Sequence, residues 1–230
     1  MWSRERKTSL LVALVERYLP LGASDIHEMA HSPEQFQQDS EAGAWQECLR
    51  PCAEALVRLG RAAAGQTPGH LLYSHGQQLT FGAHPPSPQC LALLESDREG
   101  LAPVILTLLQ RSAEACPLTL LTAPVPPSVP TVHGVPVPSL FKEAVYNAVG
   151  WSSYELHDFI DLSGWLRSTL LAEASNPAPH AVPVRRRGII VLGQWVAKLT
   201  KEDRVAVYKA SGTARARRGG AWWCDARLHG

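Results

Sequence analysis

Apolar residues recur along this chain with a helical period rather than the alternation of a half-buried strand. In the first segment Leu10, Leu11, Leu14, Val15 and Tyr18 share one face. In a second, Trp45, Cys48, Leu49, Cys52, Leu56 and Leu59 do the same. A third runs through Leu101, Val104, Ile105, Leu108 and Leu109, and Ser96 followed by Glu99 has the capping-box spacing that marks a helix start. Pro51 and Pro103 fall inside these patterns, where each removes an i→i−4 hydrogen bond and is expected to kink its helix. Further on, Phe141, Val145, Val149, Ser152 and Leu156 align, with Ala144, Ala148 and Trp151 beside them. Leu162, Trp165, Leu166, Thr169 and Leu170 form the next stripe. Ile189, Leu192, Gly193, Val196 and Leu199, flanked by Val191 and Trp195, form a broader one, which predicts a helix packed on more than one side. A final helix is predicted from Asp203 to Ala210.

Two stretches break the period. Gly65 to Pro88 is rich in Gly, Pro, Ser, His and Gln, and reads as an irregular insertion. Pro117 to Pro138 holds seven prolines and almost no charge, and reads as a linker or extended loop rather than a strand. Strand signals are nearly absent elsewhere. Helices of ~12–20 residues in pairs, joined by short turns such as Asp158 to Asp161, are the pattern of an α-solenoid in which each pair stacks on the next. The expected fold is therefore all-α, a HEAT-repeat α-solenoid of antiparallel helix pairs with no sheet. Its expected organisation is helical repeats over 1–116 with the insertion at 65–88, a linker over 117–138, repeats over 139–210 and an irregular tail over 211–230. No strict repeat is visible, which HEAT arrays do not require.

Composition narrows the function classes. With 45% apolar residues in 230, a sizeable core can form. A net charge of +1 gives no electrostatic case for nucleic acid or an anionic membrane as main partner. The five cysteines, Cys48, Cys52, Cys90, Cys116 and Cys224, are odd in number and form no framework, so they read as reduced thiols of the cytosol or nucleus. The apolar stretch from Leu10 to Val15 is short for a signal peptide, and no run approaches the ~20 residues of a membrane span.

Four constellations carry candidate chemistry. His27-Glu28-Met29-Ala30-His31 is an H-E-x-x-H motif, which sets two imidazoles one helical turn apart around a glutamate able to act as a base. Pro33 follows almost at once and should end the helix. The longer metzincin pattern fails at Glu34 and Gln37, and no third ligand is indicated. His27, Glu28 and His31 are therefore set aside as a metal site and read as helix surface. Cys48 and Cys52, one turn apart on an apolar face, read as buried small hydrophobes. Arg185, Arg186 and Arg187 could serve as a localisation signal or contact an acidic partner. The plainer reading is a helix start whose arginines pair with carboxylates of the neighbouring repeat, Asp158 or Asp161 among them. Trp151 is a candidate partner contact, because exposed aromatics make good hot spots; Trp165 and Trp195 read as core. No phosphate loop and no cofactor-binding motif stands out, and nothing makes a positive case for an enzyme.

Four islands then carry a resemblance. Lys142 to Gly150 (KEAVYNAVG) followed by Tyr154 to Leu156, Arg185 to Trp195 (RRRGIIVLGQW), Leu49 to Cys52 after Trp45, and Pro33 to Phe36 occur in the same order in the karyopherin-β (importin-β) family of nuclear transport receptors. The chain resembles a middle portion of such a receptor, as a fragment or truncated form. The resemblance implies tandem HEAT repeats that bind protein cargo in the cytoplasm, pass nucleoporins at the nuclear envelope and release cargo when the GTPase Ran binds in its GTP form. One family member is associated with import of ubiquitin-conjugating enzymes. In this reading His27 to His31 closes an ordinary helix. The alternatives are a zinc-dependent metallohydrolase built on that motif and a HEAT scaffold outside transport.

Overall fold

Helices dominate the computed structural model, which describes residues 3–34, 36 and 97–216. Ser3 caps the first helix, its hydroxyl accepting the Arg6 amide at 3.4 Å. Helix α1 (Arg4–Ala13) runs directly into a π-helical turn, Leu14–Tyr18. The wider turn rotates the stripe: Leu11, Leu14, Val15 and Leu19 are buried, whereas Tyr18 is 44% exposed. In α2 (Ala23–His31) the Asp25 carboxylate accepts the Gly22 amide at 2.7 Å. The helix ends where Ser32, forced out of the helical region by Pro33, takes φ −137° and ψ 62°. The second apolar stripe, Pro51, the Cys48/Cys52 pair, the insertion at 65–88 and Ser96 lie outside the described residues.

Helix α3 (Arg98–Ala115) is capped by Asp97, whose side chain accepts the Gly100 amide at 3.1 Å. Pro103 stands within it and the helix runs on to Ala115. The proline-rich stretch then departs from the expected linker. Helix α4 (Leu118–Thr122) docks by the fully buried Leu121. Strands β1 (Thr131–Val132) and β2 (Val135–Pro136) pair antiparallel, Thr131 opposite Pro136 and Val132 opposite Val135. This small ladder corrects the expectation of no sheet. Its cause is His133-Gly134, a two-residue turn with φ of 47° and 78°, the left-handed geometry that matches strand twist. Pro138 falls in the first turn of α5 (Val137–Trp151), where a missing amide hydrogen costs nothing.

After α5 come α6 (Ser153–Leu156), α7 (Leu162–Trp165), a π-helical turn at Leu166–Leu170 and α8 (Leu171–Ala174). A 3-10 turn (Pro179–Ala181) leads into α9 (Val182–Trp195). Helix α10 spans Lys201–Ala216, so helical structure continues past Ala210, into the stretch expected to be irregular. Ser211 and Gly212 weaken the periodic signal there without breaking the helix.

Neighbours in this series stack: α1 on α3, α3 on α5, α5 on α9, and α8 on both α9 and α10. One continuous core runs from Leu11 to Leu199. The most enclosed element is α5, every residue from Lys142 to Gly150 being buried, rather than the helix around Ile189 that the sequence marks out. The architecture is an all-α, HEAT-like solenoid carrying, among the described residues, one miniature hairpin. A smaller cluster, Leu21, Ile26, Met29, Phe36, Val135 and Leu140, fastens α2 to that hairpin.

Candidate partner-binding surface and the polar seam behind it

Helix α5 carries Lys142, Glu143, Tyr146 and Asn147 among alanines and valines, and all four are buried. Ions in a core survive only when paired and hydrogen-bonded. Lys142 Nζ donates to Glu173 Oε1 on α8 and to the Cys116 carbonyl at 2.7 Å. Tyr146 donates its hydroxyl to Glu173 Oε2 at 2.7 Å. Burial, and then the neighbouring Glu173 charge, holds the Tyr146 hydroxyl proton well above its usual range. Burial likewise pushes the Cys116 thiol up. On the adjoining face Glu143 Oε1 accepts Arg187 Nε of α9 at 2.8 Å. A polar seam thus ties α5 to two later helices and to the end of α3.

Successive residues on a helix point about 100° apart, and the three arginines of α9 separate accordingly. Arg187 is 6% exposed and faces Glu143, so the carboxylate opposite it is not Asp158 or Asp161. Asp158 pairs with Arg98 at 2.5 Å, and Asp161 caps α7 by accepting the Gly164 amide at 3.0 Å. Arg185 is also buried and donates to the Asn176 carbonyl; Asn176 in turn donates to the Leu121 carbonyl at 2.9 Å. Arg186 is half-buried over the Phe36 ring, 4.7 Å from its centroid. Trp151 is half-buried at the end of α5. Trp195 is 1% exposed, as a core residue should be, whereas Trp165 is half-buried and meets Tyr146 edge to face at 5.3 Å.

Around this seam the surface presents Leu118, Val137, Phe159, Val205 and Tyr208, each more than a third exposed. Arg98 lies 5.4 Å from the Phe159 ring centroid and also donates to the Glu155 carbonyl at 2.7 Å. Arg111 meets Glu16 at 2.8 Å, joining α3 to the turn after α1. Asp203 on α10 accepts Arg167 at 2.8 Å and Ser163 at 2.7 Å, and these bonds hold its carboxyl below the usual carboxylate range.

His27 and His31 are both exposed on α2, with ring centroids 4.1 Å apart, and Glu28 is half-buried between them in sequence. Among the described residues no three His, Cys, Asp or Glu side chains converge as a ready metal cage. Among the described residues no helix is long and apolar enough to cross a membrane. Sequence reasoning missed the seam because Lys142, Glu143 and Glu173 look like solvated helix charges. For Lys142 and Glu143 the available signal was their position on α5, which carries no other charge.

The chain has relatives. No family model matches it. It is similar to human importin-11, with 28% identity over 205 residues, which are 88% of this chain and 16% of that protein. Mouse importin-11 is 27% identical over the same number of residues. The chain therefore spans about one sixth of these curated relatives' length. Among solved structures it resembles Lph2, a bidirectional nuclear transport receptor of S. cerevisiae, with a TM-score of 0.57 and 18% identity over 93% of this chain and 18% of that one. At that identity the structural likeness speaks for the fold.

Proposed function

We propose that this chain, whose sequence and fold likenesses support a segment of the importin-β family of nuclear transport receptors, supplies part of the protein-binding surface of a nuclear import receptor. The observation that carries the reading is the sequence likeness to importin-11 across nearly nine-tenths of the chain. The seam agrees with it. Ionic groups tie helices to one another, and the outward surface includes the exposed apolar and aromatic side chains of Phe159, Val205 and Tyr208, which suit protein contact. Nuclear-destined protein cargo is the proposed ligand, ubiquitin-conjugating enzymes being one class to test. In the longer receptor, Ran in its GTP form and nucleoporins would be further partners, and shuttling between cytoplasm and nucleus would follow. No bond chemistry is invoked. Within this surface Trp151 and Arg186 are the proposed contact residues.

The test is a pull-down from cell extract with the purified 230-residue polypeptide, with and without added Ran loaded with GTP. We expect selective retention of nuclear-destined proteins, weakened by Trp151→Ala. Retention no greater than on a matched helical-repeat control would overturn the reading. So would binding that Trp151→Ala and Arg186→Ala together leave unchanged, as far as those residues are concerned.

A further inference from the structure

Between α4 and the hairpin runs a proline segment, Ala123 to Pro130 (APVPPSVP), that neither the solenoid core nor the proposed contact residues account for. Each proline ring locks φ near −65°, and the residue before a proline is driven to extended backbone. From Ala123 to Pro126 every residue is a proline, precedes one, or does both. Ala123 shows the result, with φ −90° and ψ 163°, close to the polyproline II values of about −75° and +145°. Pro124 to Pro126 enter no helix, strand or turn. A polyproline II rod has about three residues per turn, so Pro124 and Pro127 stand on one edge of it.

The segment is presented outward and pinned. Pro124, Pro126, Pro127 and Pro130 are exposed, while Val125 and Val129 are half-buried. Upstream, the fully buried Leu121 accepts Asn176 Nδ2 on its carbonyl at 2.9 Å. Downstream, the Pro130 carbonyl accepts the Val137 amide at 2.9 Å, where the hairpin closes. Between these ties the Val129 amide donates to the Pro126 carbonyl at 3.0 Å and turns the chain after Pro127. A segment fixed at both ends has little freedom left to lose on binding. No charged residue occurs from Pro117 to Val132.

We propose that Pro124 to Pro130 is a ligand segment for a partner protein with a polyproline groove, a row of aromatic rings that takes the edge carrying Pro124 and Pro127. Extended segments with Pro-x-x-Pro spacing are recognised in this mode, because the preformed rod costs little entropy to dock. Proline has no amide hydrogen, so such a groove reads ring packing and carbonyl acceptors, to which Trp and Tyr side chains donate. The lack of charge around the prolines narrows the class. A groove that adds a carboxylate pocket for a neighbouring lysine or arginine finds none here. One that reads proline alone loses nothing. The proposal involves neither Trp151 nor Arg186 and does not rest on the transport reading.

The experiment titrates the purified chain with a panel of WW and EVH1 domains, and with SH3 domains chosen for an acidic specificity pocket as the comparison. Affinity is read by calorimetry and the contact is located by amide hydrogen exchange. We expect saturable binding by a WW or EVH1 domain, and weaker binding by the SH3 domains. Exchange should slow at Val125, Ser128 and Val129 in the complex and stay unchanged along α3. Pro124→Ala with Pro127→Ala should weaken binding by about tenfold or more, the scale on which truncating anchor residues weakens an interface. Tyr208→Ala, at an exposed ring on α10, should leave it unchanged. Far-ultraviolet circular dichroism identifies a variant that fails to fold, and the exchange footprint on the unaltered chain then decides. No saturable binding across the panel would overturn the proposal, leaving the segment a spacer. Undiminished affinity in the double proline variant, an equal loss in Tyr208→Ala, or tighter binding by the SH3 domains would do so as well.

Discussion

Lys142 and Glu173 are each 1% exposed, so neither can fall back on water if its partner is removed. A lone buried ion costs more than a missing pair. Lys142→Met leaves Glu173 facing only the Tyr146 hydroxyl and should cost ~3–5 kcal/mol in urea unfolding. Lys142→Met with Glu173→Met should cost less than Lys142→Met alone, since no unpaired charge remains. A single-variant loss below about 1 kcal/mol would mean that water reaches the seam. The tryptophans supply a second comparison at this scale. Sequence periodicity marks Trp165 and Trp195 alike as core, but only Trp195 is fully enclosed. Trp195→Ala should cost ~3–5 kcal/mol. Trp165→Ala should cost distinctly less, a half-buried ring losing partial burial and an edge-to-face contact worth ~0.5–1.5 kcal/mol. Equal losses for the two would show that Trp165 is enclosed after all.

At the scale of elements, α10 is held by a titratable tie. Arg167 and Ser163, on the helix that includes α7, both donate to Asp203, and the folded carboxyl is thereby depressed below its ordinary value. The unfolded chain binds that proton more readily than the native one. The tie is therefore fully present above the ordinary carboxylate value of about 3.9 and is lost as pH falls through the lower folded value. Removing it with Asp203→Asn should lower Tm at pH 7, and the gap from wild type should close as pH falls below about 4. A gap that persists unchanged at low pH would assign the effect to packing instead. Which elements exist was largely legible from apolar spacing: α1, α3, α5 and α9 all fall where the stripes lie, and α10 begins near the predicted Asp203 start. The hairpin was not, because two-residue strands have too few positions to show alternation. His133-Gly134 between Thr131-Val132 and Val135 was the available signal, hidden by the surrounding prolines. Nor was the pairing of Arg187 with Glu143 legible, since it depends on how two helices cross. Charge inventory alone offered Asp158 and Asp161 as equals.

For the whole molecule the question is what a stretch of solenoid can do by itself. In a repeat array each unit contacts its neighbours, so a run of units keeps its local surface without the rest of the superhelix. The proposed partner binding on that surface is separable from regulation. Regulation by Ran is a coupling free energy, and it requires two distinct sites joined by an element with two states. The chain spans about one sixth of its importin-11 relatives. Its described helices are tied in series by α1–α3, α3–α5 and α5–α9 packing and locked at α5 by the buried Lys142–Glu173 and Glu143–Arg187 pairs. Such a seam favours one arrangement over two, because sliding α5 against α8 or α9 would strand charges that have no water. We therefore expect the polypeptide alone to hold cargo without responding to nucleotide. Its affinity for a captured cargo, measured by calorimetry, should be the same with Ran bound to GDP and with Ran bound to a non-hydrolysable GTP analogue. A change of tenfold or more, ~1.4 kcal/mol of coupling, would show that a Ran site and a two-state element both lie within this chain.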